Sequence, residues 1–374
     1  MLISVQNILG GQLSAIGGKH LEIELPLSKS ESNRALMIAH YAGIQEFKDL
    51  EVPLSNSDDT FLLQKHLDTL DKYLQSPLSV DGCPLTLDCH NAGTVFRFLM
   101  TAVANQCIMH NAQFIIDEGL SSKQLNNLAT QQLSILLTGS ERMKSRPISS
   151  LVDALRNLGV AIEYTEKEGF PPILLTVDAV VNRQQTTDNR QQTLSTTLHP
   201  TPSTLNSTLS TLNSLEISAE QSSQFASSLL LAAPLWKDGL ELHLTGNLSS
   251  LPYIDMTINM MRQCGVDVVR NGRDITVKPG RYNIENIKVE PDWSAAAFWY
   301  EMVSLSDDAE VLLKNLNINS LQADAAAIKM FESLGVETTA VEDGVVVRKV
   351  NSQRSIVRVK SQSSESEFRV NRQS

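Results

Sequence analysis

Hydrophobic positions in this chain recur at two periods, and three times one period gives way to the other at a glycine. The segments LVDALRNLGVAIEY (151–164), INMMRQCGVDVV (258–269) and IKMFESLGVETTA (328–340) place apolar residues at helical spacing, then turn to near-alternation. Gly159, Gly265 and Gly335 stand where a helix end favours a left-handed residue, so each segment predicts a helix, a glycine cap and a strand. Gly265 and Gly335 are 70 positions apart. Gly159 and Gly265 are 106 apart, but residues 182–214 (NRQQTTDNRQQTLSTTLHPTPSTLNSTLSTLNS) repeat NRQQT and STLN and have no core pattern. Without those 33 residues the spacing is 73, so an α/β module of roughly 70 residues recurs, interrupted by a low-complexity surface loop. Residues 350–374 are again polar and serine-rich, and the last clear structural unit ends near Lys349.

Composition narrows the classes. A chain of 374 residues is long enough for two domains. Its formal net charge of −11 argues against a general nucleic-acid or membrane-surface binder. An anionic ligand would have to be drawn by local basic clusters. Cys83, Cys89, Cys107 and Cys264 show no metal-type spacing and read as reduced, buried thiols. The first residues have no basic leader and no apolar run approaches the length of a membrane span, which predicts a cytoplasmic protein.

Such basic clusters exist. Leu25-Pro-Leu-Ser-Lys-Ser-Glu-Ser-Asn-Arg-Ala-Leu36 reads as a strand end, a tight turn and an amphipathic helix starting near Ser30. Lys29 and Arg34 then add full charges to the partial positive charge of a helix N-terminus, a socket for phosphate or carboxylate. Ser57-Asp58-Asp59, after a predicted strand and before the helix TFLLQKHLDTL, either caps that helix or contacts a ligand. Asn91-Ala-Gly-Thr-Val-Phe-Arg97 is either a capped turn or a close backbone approach to an anion through Gly93, with Asn91, Thr94 and Arg97 around it. In Leu137–Pro147, Arg142, Lys144 and Arg146 alternate; in an extended segment they would project to one side as an anion site, and otherwise they are solvated charge. Ser222-Ser223-Gln224 precedes an apolar helix and either caps it or binds a ligand there. Several phosphate-type helix starts in one chain point to a ligand with more than one anionic group.

The order LPLSKSESNRA, NSDD, NAGTVFRF, LTGSERMKSRP, SSQF, SSLPYID and VEPDWSAAA resembles the 3-phosphoshikimate 1-carboxyvinyltransferase (EPSP synthase) family from about Leu25 to Lys349, apart from the insert. The resemblance implies a two-domain enolpyruvyl transferase fold, an inside-out α/β barrel built from repeated βαβαββ units. Residues 1–27 with 290–349 would form a discontinuous first domain, its second half incomplete. Residues 28–289 would form the second domain and carry the 182–214 insert, with 350–374 as an aberrant tail. The implied reaction transfers the enolpyruvyl group of phosphoenolpyruvate to the 5-hydroxyl of shikimate 3-phosphate and releases phosphate. It needs no metal or organic cofactor. The implied partners are these two small molecules, with no nucleic acid or membrane, and the protein would be a monomer.

By motif, Lys29 would lie between both substrates as the catalytic contact. Lys29, Ser30, Arg34, Ser222, Ser223, Gln224, Ser250 and Tyr253 would hold shikimate 3-phosphate. Lys29, Asn91, Gly93, Thr94, Arg142 and Gln224 would hold phosphoenolpyruvate. The sequence departs from the family at Phe98, often proline there, at Leu251, often lysine, and at Ala219-Glu-Gln221. Beyond Lys349 it lacks the family's proton-acceptor aspartate and a Lys-Glu-Thr-Asp-Arg-type motif, so a truncated chain with impaired turnover is expected. Two alternatives stand beside this reading. One is a non-catalytic shikimate 3-phosphate binder. The other is the sister enzyme acting on UDP-N-acetylglucosamine, which Ser28-Lys29-Ser30 and the Ser-Ser-Gln motif disfavour.

Overall fold

Three four-stranded sheets repeat one strand order, and the periodic switch in the sequence explains why. The computed structural model describes residues 20–44, 52–75, 84–116, 132–178, 213–218, 223–248 and 250–350. Ser222, Cys83, residues 182–212 and residues 351–374 lie outside the described residues. The chain runs through β1 (His20–Glu24), α1 (Lys29–Tyr41), α2 (Asp58–Gln75), β2 (Leu85–Asp88), α3 (Gly93–Ile116) and β3 (Gln132–Thr138). There follow α4 (Glu141–Lys144), α5 (Ser149–Asn157), β4 (Ala161–Tyr164), β5 (Ile173–Asp178), β6 (Asn213–Ser218), α6 (Ser223–Ala232) and β7 (Leu240–Thr245). The remainder is α7 (Leu251–Gln263), β8 (Val268–Asn271), β9 (Asp274–Val277), α8 (Trp293–Leu305), β10 (Glu310–Lys314), α9 (Ala327–Glu332), β11 (Val336–Val341) and β12 (Gly344–Lys349).

The sheet orders are β2-β3-β5-β4, β6-β7-β9-β8 and β1-β10-β12-β11. In each, the first two strands are parallel and the last two form an antiparallel hairpin. Parallel neighbours need a crossover, which a helix supplies. Each sheet is therefore one βαβαββ unit, and the third is split, with the chain leaving after β1 and returning at α8. The three helix–glycine–strand segments are α5 to β4, α7 to β8 and α9 to β11. Gly159, Gly265 and Gly335 have φ of +87°, +84° and +77°, the left-handed caps that the pattern predicts.

Helices lie inside and sheets outside. Along β7 the residues Leu240, Leu242 and Leu244 are buried while their neighbours face water. By contrast α1 is buried from Glu31 to Tyr41 and α6 along almost its whole length. The expected amphipathic α1 is thus corrected: neighbours cover every face of it, including Glu31, Ser32, Asn33 and Arg34. The described residues just before Ser57 form no strand. The low-complexity insert ends two residues earlier than its composition suggests, because Asn213 and Ser214 open β6 and pair with Leu240 and Glu241. A polar strand start carries no apolar signal.

Buried apolar residues fall into two clusters, one from Ala35 to Ile287 and one from Trp293 to Val347, with Leu21, Ile23 and Leu25 packed on the latter. The chain passes between them twice, side by side. Leu27 bridges Pro291, the Ser28 amide donates to the Glu290 carbonyl at 2.8 Å, and the Asp292 amide donates to the Pro26 carbonyl at 2.8 Å.

Candidate functional site

The helix N-termini of the first core are tied to one another by side-chain contacts. Ser28 caps α1, its hydroxyl accepting from the Glu31 amide at 3.4 Å. Lys29, half exposed, pairs with Asp59 in the first turn of α2 at 3.2 Å. Ser57 caps α2 by accepting from the Thr60 amide at 3.3 Å, which leaves Asp59 free to meet the lysine. Thr60 in turn donates to Asn33 Oδ1 at 2.9 Å.

Arg34 ties α1 to two further helices. Its Nε donates to Thr257 Oγ1 at 2.7 Å and its Nη2 to Ser227 Oγ and the Tyr253 carbonyl, while Nη1 returns to the Ser30 carbonyl at 2.8 Å. Burial pulls its guanidinium down to about 10, with the Tyr253 and Glu31 charges opposing the drop. Arg34 is 2% exposed, so it shapes the first turn of α1 from beneath. Ser250 stands at the N-cap position of α7 without capping through its side chain. Burial raises the Tyr253 hydroxyl, the charges of Asp324 and Asp292 add to that rise and Arg34 opposes it, while the ring packs against the first core.

Gln224, at the start of α6, donates to Thr94 Oγ1 at 2.8 Å and joins α6 to α3; Ser223 beside it is buried. Asn91 accepts from the Ser140 hydroxyl, which links α3 to α4. Gly93 opens α3 with two guanidinium groups over it. A Cβ there would collide with Nη1 of both Arg97 and Arg146. Arg97 donates to the Gly93 carbonyl at 2.8 Å and lies 5.1 Å from the Phe225 ring. Its Nε is buried with no partner among the described residues. Burial, then the neighbouring Arg146 charge, lowers Arg97 to about 10. Two like charges, an orphan donor and a helix N-terminus meeting at a glycine describe a place prepared for an anion.

The 137–147 run departs from the extended expectation. Ser140 caps a one-turn helix, accepting from the Met143 amide at 3.4 Å, and Met143 is buried, so a local cap and an apolar anchor outweigh alternation. The three basic residues consequently part company. Lys144 pairs with Glu166 at 2.8 Å, Arg142 is exposed, and Arg146 reaches Gly93. Arg146 and Arg97 are the site residues that motif matching undervalues. The signal for Thr257 and Ser227 is a hydroxyl inside an otherwise apolar helix, and here each serves Arg34.

Comparisons with known proteins bear on the family and the fold. The family model for EPSP synthase (3-phosphoshikimate 1-carboxyvinyltransferase) matches residues 17–198 and 201–365. A 3-phosphoshikimate 1-carboxyvinyltransferase from Bacteroides fragilis is 32% identical over 338 residues, covering 90% of this chain and 65% of that protein. One from Vibrio vulnificus is 30% identical, covering 87% and 66%. The chain therefore spans about 65% of the length of the curated relatives it matches. In fold, it is similar to an EPSP synthase structure from Acinetobacter baumannii, with a TM-score of 0.52, 19% identity, and coverage of 88% of this chain and 64% of that one.

Proposed function

We propose, since the chain belongs to the EPSP synthase (3-phosphoshikimate 1-carboxyvinyltransferase) family, that it binds shikimate 3-phosphate and phosphoenolpyruvate for enolpyruvyl transfer. In that reaction the 5-hydroxyl oxygen bonds to the central enol carbon as a proton adds to the methylene carbon. The hydroxyl proton is lost in that addition, and the tetrahedral intermediate, whose methylene carbon is now a methyl group, then loses phosphate and one methyl proton to give the enol ether. Both substrates carry a phosphate and a carboxylate, and positioning with charge stabilisation is what the chain's own residues can supply.

The observation that carries this reading is the joined set of helix N-termini around Lys29, Gly93 and Gln224. Lys29 is exposed and, among the described residues, pairs with Asp59 at the surface, so it is available to an anion. In this assignment Gly93, Thr94 and Asn91, with Arg146 and Arg97 behind them, hold phosphoenolpyruvate, and exposed Arg142 closes the rim of that site. Ser30, Ser222, Ser223, Gln224, Ser250 and Tyr253 hold shikimate 3-phosphate. Arg34 acts through the Ser30 and Tyr253 carbonyls that it fixes. The division of the buried apolar residues into two clusters supports the domain reading 1–27 with 290–349, and 28–289.

The test is phosphate release after mixing the chain with both substrates. Release that requires both, slower than that of a full-length relative and abolished by Lys29→Ala, is the expected result. Binding of shikimate 3-phosphate with no release would reduce the chain to a binder. Binding of UDP-N-acetylglucosamine in its place would move it to the sister enzyme.

A further inference from the structure

A second polar cluster, unused by the proposed reaction, lies where the chain passes between its two cores. Glu31, in the first turn of α1, is 2% exposed, and its Oε2 accepts from the Glu290 amide at 2.7 Å. The Glu290 carbonyl accepts from Ser28 at 2.8 Å, so the two residues bind the outgoing and returning strands to each other. The Glu290 side chain turns into the same crossing. Its Oε1 accepts from Asn317 Nδ2 at 3.1 Å, and its Oε2 is buried with no hydrogen-bond partner among the described residues. Gln322 closes the cluster from the second core, donating to the Pro291 carbonyl at 2.8 Å and accepting from the Trp293 amide at 2.9 Å.

A buried Glu31 carboxylate beside the Glu290 charge is costly, and an unfilled buried acceptor on Glu290 adds to that cost. A proton on Glu31 removes one of the two charges. We propose that a proton held on Glu31 beside Glu290 serves as a clasp across the two crossings, and that its loss loosens the first core from the second. The charged groups facing Glu31 are Glu290 on the returning strand and Arg34 one turn along α1; Gln322 is neutral. Burial lifts the Glu31 carboxyl to about 7, the Glu290 carboxylate adding to the rise while the Glu290 amide, Arg34 and Gln322 oppose it. Beside the crossings lies an open cleft of about 540 Å³, with Leu27, Val52 and Pro53 among its walls together with Glu290, Pro291 and Lys314, which gives the strands room to part.

Neither carboxyl is assigned to a substrate, so this inference stands apart from the proposed reaction and its test does not use turnover. Carboxyl-carbon NMR of the full chain would follow Glu31 directly, and hydrogen exchange would follow peptides covering residues 25–32 and 288–293. A Glu31 midpoint near 7 is expected, falling about tenfold in proton affinity in Glu290→Gln. Protection of both peptides, corrected for intrinsic exchange, should drop about tenfold between pH 6 and pH 8.5 in the wild type and stay constant in Glu31→Gln. A midpoint near the ordinary 4.5 would overturn the held proton. Protection that is flat in the wild type, or that falls equally in Glu31→Gln, would overturn the clasp. Should Glu31→Gln not fold, Glu290→Gln against wild type still decides the first point and wild-type exchange the second.

Discussion

Replacing Glu31 by glutamine should stabilise the protein in alkali and leave it nearly unchanged in acid. The folded state lifts this carboxyl from 4.5 to about 7, so it holds the proton more tightly than the unfolded chain does. The stabilisation from that proton is complete below pH 4.5 and is lost as pH rises through 7. A shift of about 2.5 pH units corresponds to roughly 3 kcal/mol between the two limits. At 2% exposure, solvent screening takes little from that figure. Glutamine resembles the protonated acid: its carbonyl can accept from the Glu290 amide and it carries no charge beside the Glu290 carboxylate. The variant should thus exceed the wild type by about 2–3 kcal/mol at pH 8.5 and match it within about 1 kcal/mol at pH 5. Urea unfolding at fixed pH reads this as a midpoint difference at equal slope. A difference that is constant with pH, or that grows as pH falls, would refute the reasoning.

Three further substitutions separate ligand contact from scaffolding. Lys29→Ala removes an exposed charge and should change stability by less than about 1 kcal/mol in thermal melts, yet weaken shikimate 3-phosphate binding about tenfold or more. Arg34→Met removes the charged hydrogen bonds to Thr257, Ser227, Ser30 and Tyr253, and unfolding in urea should show a loss of about 3–5 kcal/mol. Gly93→Ala leaves α3 intact but pushes aside the arginine tips above it, so phosphoenolpyruvate binding in an equilibrium titration should fall while stability holds within about 1 kcal/mol.

The repeating unit was legible because it is local. A helical stripe, a left-handed glycine and an alternating run are written within 14 residues, and Gly159, Gly265 and Gly335 take the conformation that this pattern requires. Burial of α1 was not legible. Glu31, Ser32, Asn33 and Arg34 look like a wet face, and only helices and strands distant in sequence cover them. The 142–146 run failed for the opposite reason, since a short-range cap at Ser140 set the local structure before alternation could. Arg146, Arg97 and Gly93 meet through a contact between α3 and the turn after α4. Motif order could name the neighbourhood without saying which arginine enters it.

The central claim is that these joined helix starts form a socket for a substrate with more than one anionic group. Calorimetric titration of the full chain with shikimate 3-phosphate tests it most directly. The account predicts saturable one-site binding that weakens as salt is raised and falls about tenfold or more in Lys29→Ala. Absence of saturable binding, or binding that Lys29→Ala leaves untouched, would contradict it.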